Sequence, residues 1–147
     1  NNYNVPKKYI EIEITESACL DCYEELITFA NKLRDNGVSV SIDDFGTGYS
    51  SLSLLKDINV DTIKIDKSFV DNVPGNNKDK TMLKNIVMMI KDLGFNIVVE
   101  GVENKAQINF LLENECEIIQ GYYFDKPIPL KDFLTRVREK TYTEKNE

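Results

Sequence analysis

The chain has no histidine and only three cysteines in 147 residues. Cys19 and Cys22 form a single Cys-x-x-Cys spacing, and with neither an imidazole nor a second such pair they cannot complete a zinc site. Three thiols do not pair evenly, so they are expected to be reduced and structural. An excess of positive charge is also missing. The 18 Lys and Arg stand against 25 Asp and Glu, and the net charge of −7 opposes contact with duplex nucleic acid or an anionic membrane surface. A phosphate-bearing ligand would need added cations. No apolar run approaches the roughly 18 residues that span a bilayer, and the stretch from Asn1 to Lys8 is too polar for a secretory signal. These absences suit a cytoplasmic segment, with any membrane anchor of a parent protein lying outside it.

Five short stretches rich in isoleucine and valine read as strands, at residues 9–15, 38–43, 62–66, 96–100 and 117–120. Between the first two, Leu20, Tyr23, Leu26, Ile27, Ala30 and Leu33 recur at helical steps, and Gly37 follows at a helix end. Further helices are expected over residues 50–58, over 82–93 closed by Gly94, over 104–113 behind an Asn104 cap, and over 130–139 after Pro127 and Pro129. Residues 71–79, with Pro74, Gly75, Asn76 and Asn77, read as a surface loop, and 141–147 as a frayed tail. Strand followed by helix, five times over, points to parallel strands joined by right-handed crossovers.

Side chains alternate across a strand, so parity assigns faces. Ile10, Ile12 and Ile14, then Val38, Val40 and Ile42, then Ile63 and Ile65, then Ile97 and Val99 form one aliphatic face that helices can cover. The opposite face ends each strand on a polar group: Glu13, Asp43, Lys64, Glu100 and Gln120. A doubly wound sheet buries apolar residues on both faces, so a polar second face suits a barrel interior opening into a site at the C-terminal strand ends. A complete (βα)₈ barrel takes about 250 residues, roughly 31 per unit, and 147 residues accommodate between four and five units. The fold class expected is therefore α/β, a partial TIM-type barrel of about five consecutive βα units on a parallel sheet.

Taken singly, each polar group has an ordinary explanation. Glu13 can be a solvated strand end, Asp43-Asp44 a turn before two glycines, and Glu100 and Glu103 exposed loop acids. Lys64 differs, because parity sends it inward, where an unpaired ammonium is costly and must meet a carboxylate. Recurrence over five strands converts the set into a candidate site. Its oxygen donors favour Mg²⁺, Mn²⁺ or Ca²⁺. Met82, Met88 and Met89 and the aromatics Tyr122, Tyr123 and Phe124 are expected to fill core or rim.

The ordered motifs Glu13-Ile-Thr-Glu16, Asp43-Asp-Phe-Gly-Thr-Gly-Tyr-Ser-Ser51, Lys64-Ile-Asp66, Glu100-Gly-Val-Glu103 and Gln120-Gly-Tyr-Tyr-Phe124 resemble, in order and spacing, the later motifs of EAL-type cyclic di-GMP phosphodiesterases. Successive gaps of 30, 21, 36 and 20 residues separate Glu13, Asp43, Lys64, Glu100 and Gln120, and the likeness runs from Ile10 to Leu134. It implies a modified TIM-type barrel that hydrolyses one phosphodiester of cyclic di-GMP to the linear dinucleotide pGpG with two Mg²⁺ or Mn²⁺ ions. By that resemblance Asp43 bridges the ions, Glu13 ligates one and Asp44 the other, and Glu100 binds or orients metal water and takes its proton. Lys64 lies near the attacking water and phosphate, with Gln120 and Glu103 in support. Glu16, together with Thr15, Phe45 and Gly46, anchors the Asp-Phe-Gly loop, a loop tied to dimerisation in the family.

The Glu-Ala-Leu tripeptide, a nearby arginine and a metal-binding asparagine that the family places before Glu13 do not occur in this sequence, and Asp125 stands where the family carries a small residue. The chain thus reads as the C-terminal part, residues 1–147, of a phosphodiesterase domain. By itself it is expected to be inactive or nearly so, and to self-associate through exposed barrel edges or the Asp-Phe-Gly loop. The competing reading is a non-catalytic module that binds cyclic di-GMP or a protein. A phosphoacceptor receiver domain places its acidic pair after the first strand and its lysine after the fifth, whereas here the pair follows the second and Lys64 the third.

Overall fold

A computed structural model of the chain describes residues 4–18, 23–48 and 51–140. Cys19, Leu20 and Cys22 lie outside the described residues, as does the tail 141–147. Strands β1 (Glu11–Thr15), β2 (Ser39–Phe45), β3 (Thr62–Ile65), β4 (Asn96–Val99) and β5 (Ile118–Ile119) alternate with helices α1 (Tyr23–Asp35), α2 (Ser51–Asp57), α3 (Asn77–Asp92) and α4 (Lys105–Glu113), and α5 (Leu130–Glu139) follows. The sheet order is β1-β2-β3-β4-β5 and every pairing is parallel. The α/β alternation is therefore as the periodicity implies. The fifth strand is only two residues long, against the four expected. Helix α3 begins earlier than its apolar pattern suggests, because the Asn76 side chain accepts from the Lys78 N–H and caps it inside the expected loop.

The aliphatic face holds the core. Ile14, Val40, Ile42, Ile63, Ile65, Ile97 and Val99 are buried there with Ala30 of α1, Leu54 and Leu55 of α2, Leu83, Val87 and Ile90 of α3, and Ile108 and Leu111 of α4. Met89 packs against this core, but Met82 and Met88 are half-exposed. Likewise Tyr123 is buried while Tyr122 and Phe124 are partly exposed. Cys116 is the free buried cysteine of the described residues. Burial pushes its thiol up to about 11, against the lowering pull of Lys91, which suits an unreactive core group. No helix among the described residues is long and apolar enough to cross a membrane.

One irregularity decides what the sheet can present. Ile42 pairs with Ile63, yet the next partners are Phe45 and Ile65, so β2 carries an extra residue between them. Such a bulge re-aims side chains. Strict alternation puts Phe45 beside Asp43 on the polar face. The bulge turns Phe45 into the core, where it is 2% exposed, and leaves Asp43 facing inward. The turn is taken at Asp44, whose φ is +55°, a left-handed conformation that aspartate tolerates better than most residues.

Candidate functional site

Four strands deliver charged groups to one point on the polar face. Lys64, near the end of β3, reaches Glu13 Oε1 of β1 at 2.9 Å, Asp43 Oδ1 of β2 at 3.1 Å and Glu100 Oε1, just past β4, at 2.8 Å. Its side chain is 10% exposed, against 52%, 21% and 19% for the three acids. Burial alone lowers a lysine pKa. Here the carboxylates of Glu100, Glu13 and Asp43 overcome it and raise the value, so the ammonium stays charged. The bond to Glu13 is directed. Asp43 Oδ1 and Glu100 Oε1, both buried, lie 3.1 and 2.8 Å from the ammonium but off the line of a well-aligned hydrogen bond. Gln120, after β5, shares with Glu13 and Lys64 the lining of an open cavity of about 540 Å³.

Asp44 stands at the rim. Its carboxyl is raised above the ordinary 3.8 by loss of solvent and by the negative charge of Asp43 and Asp66, which Lys64 only partly offsets. A raised acid favours the fold while protonated, and that contribution disappears as the pH climbs through its folded-state pKa. Asp44→Asn is therefore expected to raise the melting temperature of the chain in EDTA at pH 7 by about 1–2 °C, the scale of a surface substitution in a chain of this size. Asparagine also tolerates the positive φ. The gain should shrink as the pH falls toward 3.8, which calorimetry at stepped pH will register. An equal gain at every pH would assign the effect to the backbone instead.

Glu16 sits apart from this centre and is 1% exposed. Its Oε2 accepts from the Gly46 N–H at 2.7 Å and the Gly48 N–H at 3.1 Å, tying the end of β1 to the loop after β2. Position 46 requires glycine, and a side chain at Gly48 would push on the Glu16 carboxylate. A Cβ on Gly46, at φ +98°, would lie 2.1 Å from the Phe69 ring, and one on Gly48 would lie 2.7 Å from Glu16 Oε1. Thr15 pairs with Asp43 in the strand register. Phe45 and Gly46 line an apolar groove with Phe69, Met82 and Met89.

Glu103 does not join Lys64; it pairs with Lys67 at 2.6 Å beside a cleft that Glu100, Gln120 and Tyr122 also line. Sequence reading passed over the residues that fix this second edge. Gln107, 3% exposed, accepts from the Glu103 and Asn104 N–H groups and donates to the Val70 carbonyl. It thereby ties the loop after β4 to the loop after β3. The signal was present as Asn104-x-x-Gln107, a capping box. Asp125, the departure from the family pattern, forms an ion pair with Arg136 of α5, fastening the last helix to the loop after β5.

The donor set suits a hard divalent cation: it is wholly carboxylate, and two of its buried oxygens lack aligned donors. Among the described residues, no three acidic side chains are drawn close enough to hold an ion as they stand. Lys64 occupies the point between them.

Comparison with known proteins identifies the family. The family described as EAL domain matches residues 1–127. The chain is 42% identical over 133 residues to "Cyclic di-GMP phosphodiesterase NbdA" of Pseudomonas aeruginosa, covering 88% of this chain and 17% of that protein. It is 40% identical over 129 residues to "Probable cyclic di-GMP phosphodiesterase PdeG" of Escherichia coli, covering 88% and 25%. Among solved structures, the EAL domain of Mycobacterium smegmatis DcpA superposes with a TM-score of 0.88 at 38% identity, over 94% of this chain and 62% of that one. A manganese and cyclic di-GMP complex of Klebsiella pneumoniae BlrP1 superposes with 0.78 at 32% identity, over 84% and 31%. The chain spans a quarter or less of the two curated relatives. A five-stranded parallel sheet alternating with helices, together with a family match over residues 1–127, places the chain in the EAL domain family.

Proposed function

We propose that residues 1–147 form the C-terminal part of a cytoplasmic, metal-dependent phosphodiesterase domain that hydrolyses cyclic di-GMP to linear pGpG. The convergence of Glu13, Asp43 and Glu100 on Lys64 carries this reading. Asp43 would be shared between two Mg²⁺ or Mn²⁺ ions, with Glu13 a ligand of one, Asp44 a ligand of the other, and Glu100 binding or orienting metal-held water. Such ions supply hydroxide near neutral pH and neutralise phosphate charge. The chain's own residues do the rest. Glu100, just past the end of β4 and 19% exposed, would accept a proton from the attacking water. Lys64 offers the ammonium that a phosphate oxygen can approach, and Gln120 lines the same cavity with an amide able to donate to it. Glu16 and Glu103 hold the flanking loops in support.

Two expectations follow for activity. The 147-residue chain in Mg²⁺ or Mn²⁺ should show little or no turnover of cyclic di-GMP by chromatography of the linear product. A graft of residues 10–134 into a complete EAL barrel, in place of the matching segment of the Pseudomonas relative, should hydrolyse it. Ordinary turnover by the chain alone contradicts the first expectation. A well-folded graft that binds but does not cleave favours the non-catalytic module over the enzyme. The open edges of β1 and β5 favour self-association of the isolated chain, and a clean monomer in light scattering at micromolar concentration speaks against that part.

A further inference from the structure

We propose that Lys64 is the internal counter-ion of the metal-free cluster, holding Glu13, Asp43 and Glu100 together and competing with a divalent cation for the same three carboxylates. The inference rests on the divalent-ion reading given above and concerns a different property, the state of the site before an ion arrives.

The ammonium touches all three acids at once, from strands β1 and β2 and the end of β4. Asp43 and Glu100 are only 21% and 19% exposed, so little solvent is left to stabilise these two acids if the ammonium withdraws, whereas Glu13 at 52% keeps its own. Three like charges converging on one point repel, and a single buried cation offsets that repulsion at short range. The match is nevertheless incomplete. An ammonium has three directed donors, and only Glu13 receives one in line, while Asp43 Oδ1 and Glu100 Oε1 are buried without an aligned partner. A metal ion has no such directional demand on these oxygens and carries twice the charge. It also binds at about 2.0–2.6 Å, closer than the 2.8–3.1 Å that Lys64 keeps. Two cations cannot share the point between the same oxygens, so an ion entering there requires Lys64 to release at least one acid.

The test is Mn²⁺ calorimetry on the EDTA-stripped 147-residue chain, its Lys64→Met variant and its Lys64→Gln variant, with melting curves in EDTA and in saturating Mn²⁺. Both variants are expected to bind Mn²⁺ about ten-fold or more tighter, because a competing charge has gone. They should also melt below the wild type in EDTA, with the gap closed or reversed in Mn²⁺. A side chain that merely packed would lower the melt in both conditions and leave affinity unchanged. Mn²⁺ binding of equal or weaker strength in the variants overturns the role given to Lys64 alone. No Mn²⁺ binding by any of the three overturns the divalent-ion reading together with the competition. Should the variants not fold, ¹⁵N-lysine spectra of the wild type decide. One exchange-protected ammonium that shifts on Ca²⁺ addition supports the proposal, and its absence or indifference to Ca²⁺ overturns it.

Discussion

Asp43→Asn, placed in the complete barrel that carries residues 10–134, is expected to lower kcat/KM for cyclic di-GMP by at least about 10³-fold, roughly 4 kcal/mol of transition-state stabilisation. Asp43 keeps the inward face that strand alternation gives it while the β2 bulge turns Phe45 away, and its carboxylate is 21% exposed. A group shared between two ions needs two charged oxygens. The amide keeps the shape but offers one neutral acceptor and replaces the other with a donor. Stability should move little. The substitution removes an ion pair with Lys64 at 3.1 Å and at the same time relieves the repulsion that raises the Asp44 carboxyl. A change in melting temperature within about 2 °C separates a chemical loss from a folding one. Steady-state rates from the linear product provide the check. A loss smaller than ten-fold would remove Asp43 from the shared position.

How far the sequence foretold this site depends on the kind of physics involved. Period-two alternation is local, and it correctly put Ile63 and Ile65 in the core and Lys64 on the opposite face. The cost of burying an ammonium then required an acid partner, and three are present. Phe45 shows where alternation stops. It shares parity with Asp43, and only the extra residue in β2, visible as a register shift against β3, sends the two to opposite sides. Bulges are set by cross-strand pairing, which a single segment does not encode. Glu16 illustrates the same limit from another direction. Its burial depends on the Gly46 and Gly48 N–H groups some thirty residues away, and it came from the family resemblance rather than from any pattern of spacing. Glu103 lies close in sequence to Glu100, yet a turn through Gly101 at φ +69° carries it to Lys67 instead of Lys64.

Gly121→Ala is expected to cost about 3 kcal/mol or more, lowering the melting temperature of the chain by about 10 °C. A Cβ built there would lie 2.0 Å from the Val102 carbonyl oxygen, 2.3 Å from its nitrogen and 2.7 Å from its carbonyl carbon. All three atoms are backbone, so no rotamer change relieves the overlap. Val102 is pinned as well. Its N–H donates to the Gln120 carbonyl at 3.1 Å, its carbonyl accepts from the Tyr123 N–H at 2.9 Å, and its side chain is fully buried. Making room therefore means parting the loop after β4 from the loop after β5 and straining both bonds, each worth about 1 kcal/mol. Gly94→Ala isolates the conformational component, because Gly94 adopts φ +86° but has nothing within 4 Å of the added carbon. It should cost only about 1–2 kcal/mol. Chemical denaturation of the two variants side by side measures the difference. Equal losses would mean that the contact with Val102 yields easily, and that the wall joining Glu100 to Gln120 is softer than its hydrogen bonds imply.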